Sequence, residues 1–397
     1  MPGKSLVKII TLKKTSILVF TISFCIILPL LLKDNIHSPY HFVLSKPFNS
    51  SAREENYKFR NDLEVLKSKV YLSRNKKLDK DHLLSQWKET AKFKLIIVIV
   101  SASRNHFPSG KNYNPRYLTQ VTAKYGYLKL NRPSTQLTDM KLIVCDVDKV
   151  SHFEALNLTD YIPKISIYEG VPRSLRMNAD AYEQEKVDYV HCLKQSLNYT
   201  SDYILIVEDD ALPHDDLLEK LDHLFSYRLP KINNTFGYIK LFHPTRLNGY
   251  ITGDGNRLLE WFASAGLMEH LIASILFIFG FTDQNSIDNR LIRYIFLTLL
   301  LLGIGRINVM QWRKISPHFY RFVPAPSCCT PALLFTPTSA KLMVDYLSKV
   351  TCRKGYAKDT AMETAGFKNW FFEPKIFTHI GVYSTLHKNL IRPDIVD

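Results

Sequence analysis

Apolar residues along this chain fall into patterns of different length. Short unbroken runs stand at Leu95–Val100 (LIIVIV), Leu142–Cys145 (LIVC) and Tyr203–Val207 (YILIV), and a shorter strand pattern stands at Ile165–Tyr168 (ISIY). Between them, YLTQVTAKYGYL and AYEQEKVDYVHCLKQSLNY carry apolar residues at helical spacing, the second at Val187, Val190, Leu193 and Leu197. Unbroken runs predict strands buried on both faces, and their alternation with helices predicts an α/β fold with a parallel sheet. Ligands of such sheets bind at the carboxyl ends of the strands. Later, FVPAPSCCTPALLF predicts a loop and short strand, TPTSAKLMVDYLSKV a capped helix and NWFFEP another strand.

Three longer apolar stretches have a different meaning. TSILVFTISFCIILPLLL follows Lys4, Lys8, Lys13 and Lys14 and is closed by Lys33. It is long enough to span a bilayer, and the upstream lysines predict a signal anchor with a cytosolic N-terminus. Residues 1–14 are then a cytosolic tail, 15–32 the anchor and 33–93 a lumenal stem. Residues 258–281 and 291–312 flank the polar link 282–290, predicting a transmembrane hairpin inserted between soluble halves at 94–257 and 313–397. Glu260, Glu269, His270, Arg293 and Arg306 interrupt these runs, and a buried amphipathic pair is the competing reading because intramembrane charge is costly. Counted from the link, Glu269 and Arg306 lie about 18 and 22 Å along their helices, so they are expected to pair.

The net charge of +15 is spread along the chain. No arginine block or nucleic-acid-binding signature accompanies it, which excludes a nucleic-acid partner and leaves phosphate-bearing substrates or a membrane surface. Sequons at Asn49, Asn157, Asn198 and Asn233 suit a lumenal domain. So do the cysteines beyond the anchor. Cys145 ends the second strand and Cys192 lies on the helix feeding the fourth; sequential elements are usually neighbours, so a disulfide between them is expected. Cys328 and Cys329 then pair with each other, or one of them pairs with Cys352.

The candidate chemistry lies where YILIV runs into Glu208, Asp209 and Asp210. Adjacent carboxylates repel one another, and a divalent cation removes that repulsion. Few hard oxygen ligands suit Mn²⁺ or Mg²⁺ held jointly with substrate phosphates, as in transferases that use nucleotide-sugars. An acidic turn capping the next helix is the simpler alternative.

The stretches KVSHFEALNLTDYIP, EKVDYVHCLKQSL, DYILIVEDDALP, YIKLFHPTRLNGYI, CCTPALLF, YLSKVTCRKGYAKDTAM and EPKIFTHIGVYSTL, with the hairpin between them, carry a resemblance. The chain resembles the Golgi family that adds N-acetylgalactosamine to glycosylphosphatidylinositol (GPI) anchors, post-GPI-attachment-to-proteins factor four. The resemblance implies a Rossmann-like GT-A glycosyltransferase domain split by tandem membrane segments, in a multi-pass Golgi membrane protein with a lumenal catalytic domain. It implies UDP-N-acetylgalactosamine as donor, a GPI mannose as acceptor and Mn²⁺ (or Mg²⁺) as cofactor. Glu208 would approach the ribose, and Asp209 and Asp210 would serve metal and diphosphate. Ala102, Ser103 and Arg104 would lie along the nucleotide, although SASRNHFPSG departs from the family by lacking an acid before the arginine. Thr330 and Pro331 would line the sugar subsite, and His379 would face the metal. A β-glycoside made from an α-linked donor implies inversion. The base is then expected after the hairpin, at Asp359, with Glu363 one turn later as second candidate; a helix cap is the simpler role for Asp359.

Two other functions compete: a branching N-acetylglucosaminyltransferase of N-glycans with a similar EDD motif, and a non-catalytic membrane adaptor.

Overall fold

The computed structural model describes residues 18–35, 38–44, 50–78, 92–102, 114–131, 137, 139–148, 153–159, 162–166, 180–232, 236–251, 254–281, 286–384 and 389–390. The chain divides into two compact units, one of residues 1–50 and 245–315 and the other of residues 51–244 and 316–397.

The larger unit is mixed α/β. In chain order its first ten strands are β1 (Phe93–Ser101), β2 (Met140–Asp146), β3 (Lys164–Ser166), β4 (Ser201–Glu208), β5 (Ala211–Pro213), β6 (Ile239–Lys240), β7 (Arg321–Pro324), β8 (Ala332–Phe335), β9 (Trp370–Glu373) and β10 (Phe377–His379). Eight of them form one sheet in the order β3-β2-β1-β4-β8-β6-β9-β7. The first four are parallel, as their unbroken apolar runs predict, and β8 joins β4 antiparallel. Alternating side chains of each strand face opposite layers. Leu95, Ile97 and Ile99 of β1 enter one core with Tyr203, Leu205 and Val207 of β4. Ile96 and Val98 enter the other with Ile204 and Ile206. Burying each such side chain stabilises the fold by ~1.5–3 kcal/mol, so register is strongly specified. In the second layer Cys145 and Cys192 form a disulfide that ties β2 to the helix Ala181–Ser196. A capping box between Thr336 and Ser339 starts the helix Pro337–Leu347.

Part of the expected stem is built into this unit. The helix Ser50–Leu78 lays Asn61 against the Pro115 carbonyl at 2.9 Å, and Gln120 Nε2 donates to Asn61 Oδ1 at 2.9 Å. Asn157 and Asn198 are exposed, whereas Asn49 and Asn233 lie outside the described residues.

The smaller unit gathers the apolar helices. Among the described residues one helix, Gly255–Ile278, is by itself long and apolar enough to cross a membrane. The second run of the hairpin is broken: a helix Ile287–Ile304 is followed by Arg306–Ile315 at 96°. Gly305, at φ 88°, takes a backbone conformation that side-chain-bearing residues rarely adopt. The N-terminal apolar helix Leu18–Leu32 packs Phe20 and Phe24 edge-on against Phe296. Ser38 Oγ donates to the Gly303 carbonyl at 2.6 Å.

The charges inside this unit pair differently from the count along straight helices. Glu269 accepts from Arg290 at 3.0 Å and Arg293 at 2.9 Å, whereas Arg306 meets Glu260 at 3.0 Å. The reason is where the helices end: the first stops at Ile278 and the second starts at Ile287. Equal rise then brings Arg306, about 28 Å along, level with Glu260, about 27 Å along, and leaves Glu269, about 14 Å along, nearer Arg293.

Candidate active site

Neighbouring strand ends and one hairpin-like return assemble the site. Val100 of β1 stands opposite Glu208 of β4, and the Asp209 amide donates to the Val100 carbonyl at 3.1 Å. The acidic triplet therefore sits at the carboxyl edge of the parallel strands. The sequence ALPHDD does not continue straight into a helix. Ala211–Pro213 forms β5, which pairs antiparallel with β10 and sets His379 opposite Ala211. This pairing brings the two sequence-distant signals together: His379 Nε2 lies 3.4 Å from Asp210 Oδ1.

One oxygen or nitrogen each from Glu208, Asp210 and His379 lies within 4.8 Å of the others. The group differs from the expected set by one residue. Asp209 is turned toward β1, where its Oδ2 accepts from Ser101 Oγ at 3.2 Å and the Ala102 amide at 3.3 Å. Glu208, expected at a ribose, stands in the group instead. β4 ends at Glu208 and the chain turns at Asp209 and Asp210, and the bonds to Ser101 and Ala102 hold Asp209 toward β1.

The strand end is closely packed. Asp209 and Asp210 are only 3% and 4% exposed. The Ile380 amide donates to the Asp210 carbonyl at 2.9 Å, and a Cβ on Gly381 would fall 2.0 Å from Asp210 Oδ2, so only glycine fits there. Burial pushes the Glu208 carboxyl above its usual range; Lys358 opposes this, while Asp210 and Glu185 add to it.

Beside the acids lies a second group. The Glu208 amide donates to the Pro331 carbonyl at 2.8 Å. Asp359 accepts from the Cys329 amide and from Thr330 Oγ1, both at 2.6 Å. Its helix, Lys358–Thr364, has Ala357 at the N-cap and no side-chain cap bond, so the capping role is not what the carboxylate performs. Thr330, Pro331 and Asp359 are thus one connected group next to Glu208. Glu363, one turn on, is exposed. Cys328 and Cys329, at φ 67° and 60°, are separate thiols with sulfurs 2.7 Å apart, and the buried Cys352 is bonded to neither. Ser103 and Arg104 lie outside the described residues, and of the expected nucleotide stretch only Ala102 is placed.

The sequence reading missed Lys358. Its ammonium is buried, 3.0 Å from Glu185 and 3.3 Å from Glu208, over the Tyr189 ring at 4.6 Å. Burial works against its charge, yet Glu185, Glu208 and Asp359 hold it protonated well above the usual range. A signal existed, for Lys358 precedes Asp359 in GYAKDTAM. Lys240 was also missed. It is 1% exposed and donates to the carbonyls of Pro326, at 3.0 Å, and Cys328, fixing the loop that carries the vicinal cysteines.

Residues 95–378 match the family model of the GPI-N-acetylgalactosamine transferase PGAP4. The match covers both sequence segments of the sheet and the described residues of the site except His379, Ile380 and Gly381, which follow its last position directly. The chain belongs to this family of glycosyltransferases.

Proposed function

We propose, from that membership, that the chain transfers N-acetylgalactosamine from UDP-N-acetylgalactosamine to a mannose of GPI anchors. The domain is of GT-A type, and the reaction inverts the anomeric carbon. The protein is a multi-pass Golgi membrane protein, held by the N-terminal helix and the apolar hairpin, with its catalytic unit in the lumen. The observation that carries the reading is the crowding of Glu208, Asp210 and His379 at the end of β4, within a chain that matches the family on both sides of the apolar insertion.

Two carboxylates and an imidazole form a donor set that fits Mn²⁺, and their approach within 4.8 Å is close enough for one ion. When bound, the ion supplies Lewis-acid stabilisation of the departing diphosphate. The chain's own residues do the rest. Lys358 opposes the effect of burial on Glu208. Asp209 ties the β4 end to β1. Thr330 and Pro331 form the sugar subsite between Glu208 and Asp359. Asp359, held by two hydrogen bonds, takes the proton of the attacking mannose hydroxyl as general base. Each of its oxygens keeps a lone pair for that proton.

The test is donor turnover by the purified full chain across a panel of UDP-sugars, with and without Mn²⁺, using a GPI glycan and an N-glycan as acceptors. UDP-N-acetylgalactosamine with the GPI glycan is expected to be the productive pair. Preference for UDP-N-acetylglucosamine with the N-glycan would move the protein to the branching reaction. Binding of neither UDP nor Mn²⁺ would leave a non-catalytic adaptor.

A further inference from the structure

The helix Ser50–Leu78 touches the site through a closed ring of hydrogen bonds. Tyr57 Oη donates to the Ile380 carbonyl at 2.8 Å. The Val382 amide donates to Tyr117 Oη at 3.1 Å. The two hydroxyls are 2.7 Å apart. Each has one hydrogen, and that of Tyr57 is committed to Ile380, so Tyr117 donates to Tyr57. The ring therefore runs from Val382 through Tyr117 and Tyr57 to Ile380 and closes around Gly381. On its other side the same segment donates from the Ile380 amide to Asp210 and stands directly after His379. Tyr117 and Val382 are buried together, 1% and 0% exposed, with Tyr57 and Ile380 packed against them.

We infer that Tyr57 and Tyr117 are positioning residues: through them the helix after the N-terminal apolar segment clamps the His379–Val382 strap onto Asp210 and fixes the spacing of Glu208, Asp210 and His379. A segment that must present an imidazole to a carboxylate at fixed distance needs both edges of its backbone held. Asp210 and β5 hold one edge, and the tyrosine pair holds the other. The region between the apolar segment and the sheet is thus part of the site's framework, so truncating it would loosen the site without removing any group that touches substrate.

The test uses the full chain in detergent or nanodiscs, with hydrogen exchange of the 377–384 segment as the first readout. Tyr57→Phe and Tyr117→Phe each keep the ring and remove one hydroxyl. Each is expected to raise exchange there about fivefold, the effect of one lost hydrogen bond, with other segments unchanged. Because either change opens the same ring, the double variant is expected to exchange no faster than about the faster single one. Tyr71→Phe, whose ring lies edge-on to Tyr127 at 6.1 Å between centroids, is the control and leaves the segment unchanged. A uniform rise over the whole chain, an unchanged 377–384 segment, or a double variant that sums the singles would each overturn the inference. The second readout rests on the metal reading above: half-saturation by Mn²⁺ rises about fivefold in either single variant. If the unaltered chain takes up no Mn²⁺, that reading fails, and exchange alone decides the clamp.

Discussion

In the apolar helix unit Glu260 meets Arg306, and Glu269 meets both Arg290 and Arg293. At the end of β4 the arrangement is reversed. Glu208 shares one lysine with Glu185, and Asp210 faces an imidazole, with Asp209 adjacent in sequence. Both regions withdraw carboxylates from water, which is costly unless each is matched. The helix unit matches them with guanidinium groups that form fixed, hydrogen-bonded pairs. The strand end crowds acids that share cations. Where arginine completes the pair the carboxylate is structural; where acids crowd, the cation of the proposed function would relieve their repulsion.

The largest expected effect breaks or keeps that contrast. Asp210→Ala should abolish transfer and Mn²⁺-dependent UDP binding, a loss of at least ~10³-fold if several kcal/mol of charge stabilisation goes with it. The melting temperature should hold or rise, because one repelling carboxylate has gone. Near-normal transfer by this variant would erase the functional side of the comparison.

Asp359→Asn sharpens it within the site. The carboxamide can still accept one of the two bonds from Cys329 and Thr330, so the fold should persist. Transfer should fall by ~10²–10⁴-fold in a cell-surface GPI-glycan assay. If it does not, the base lies elsewhere and Glu363 is the next residue to change.

The helix unit gives the stability counterpart. Arg306→Leu strands Glu260 and should cost about 3–5 kcal/mol, read as lost melting temperature and yield in detergent. Adding Glu260→Leu should restore most of that loss. Adding Glu269→Leu should restore none, and a rescue by it would contradict the pairing described above.

The smallest effect concerns a buried base rather than a buried acid. His223 lies against His318 at 4.4 Å between ring centroids. Burial, followed by His318, Arg228, Lys220 and Lys231, lowers its pKa to about 4. The unfolded chain takes up that proton near 6.5, so stability is complete above that pH and declines as pH falls toward 4. The loss should reach about 1 kcal/mol at pH 5.5. Melting curves of His223→Gln should be flatter across this window, and an equal slope would exclude His223 as the cause.

The parallel half of the sheet was legible because LIIVIV, LIVC and YILIV are apolar on both faces, and only strands buried on both faces tolerate that pattern. The acidic triplet was legible for the same reason, as a polar interruption at a strand end. What was not legible depends on long-range contact. β6 is only Ile239–Lys240, too short to show a period. Glu208 rather than Asp209 groups with Asp210 and His379, because the turn after β4 ties Asp209 to Ser101 and Ala102. Lys358 meets Glu185 across a sequence gap that no local pattern reports. The Glu269–Arg306 pairing failed on the helix bounds, because the helices end at Ile278 and start at Ile287, several residues from where the apolar runs place them.

The discontinuity of the sheet has a consequence in time. β4 is made early, but the strand that covers its free edge, β8, comes only after the whole apolar insertion. More than a hundred residues separate Val207 from its partner Ala332, which at ~5–20 residues per second is a delay of roughly 6–25 s. During that interval Ile204 to Val207 present unsatisfied backbone and apolar side chains, the combination that recruits foreign strands. The nascent chain is therefore most vulnerable to aggregation while its hairpin is being synthesised, and anything that slows that step lengthens the exposure of an edge that the finished protein conceals.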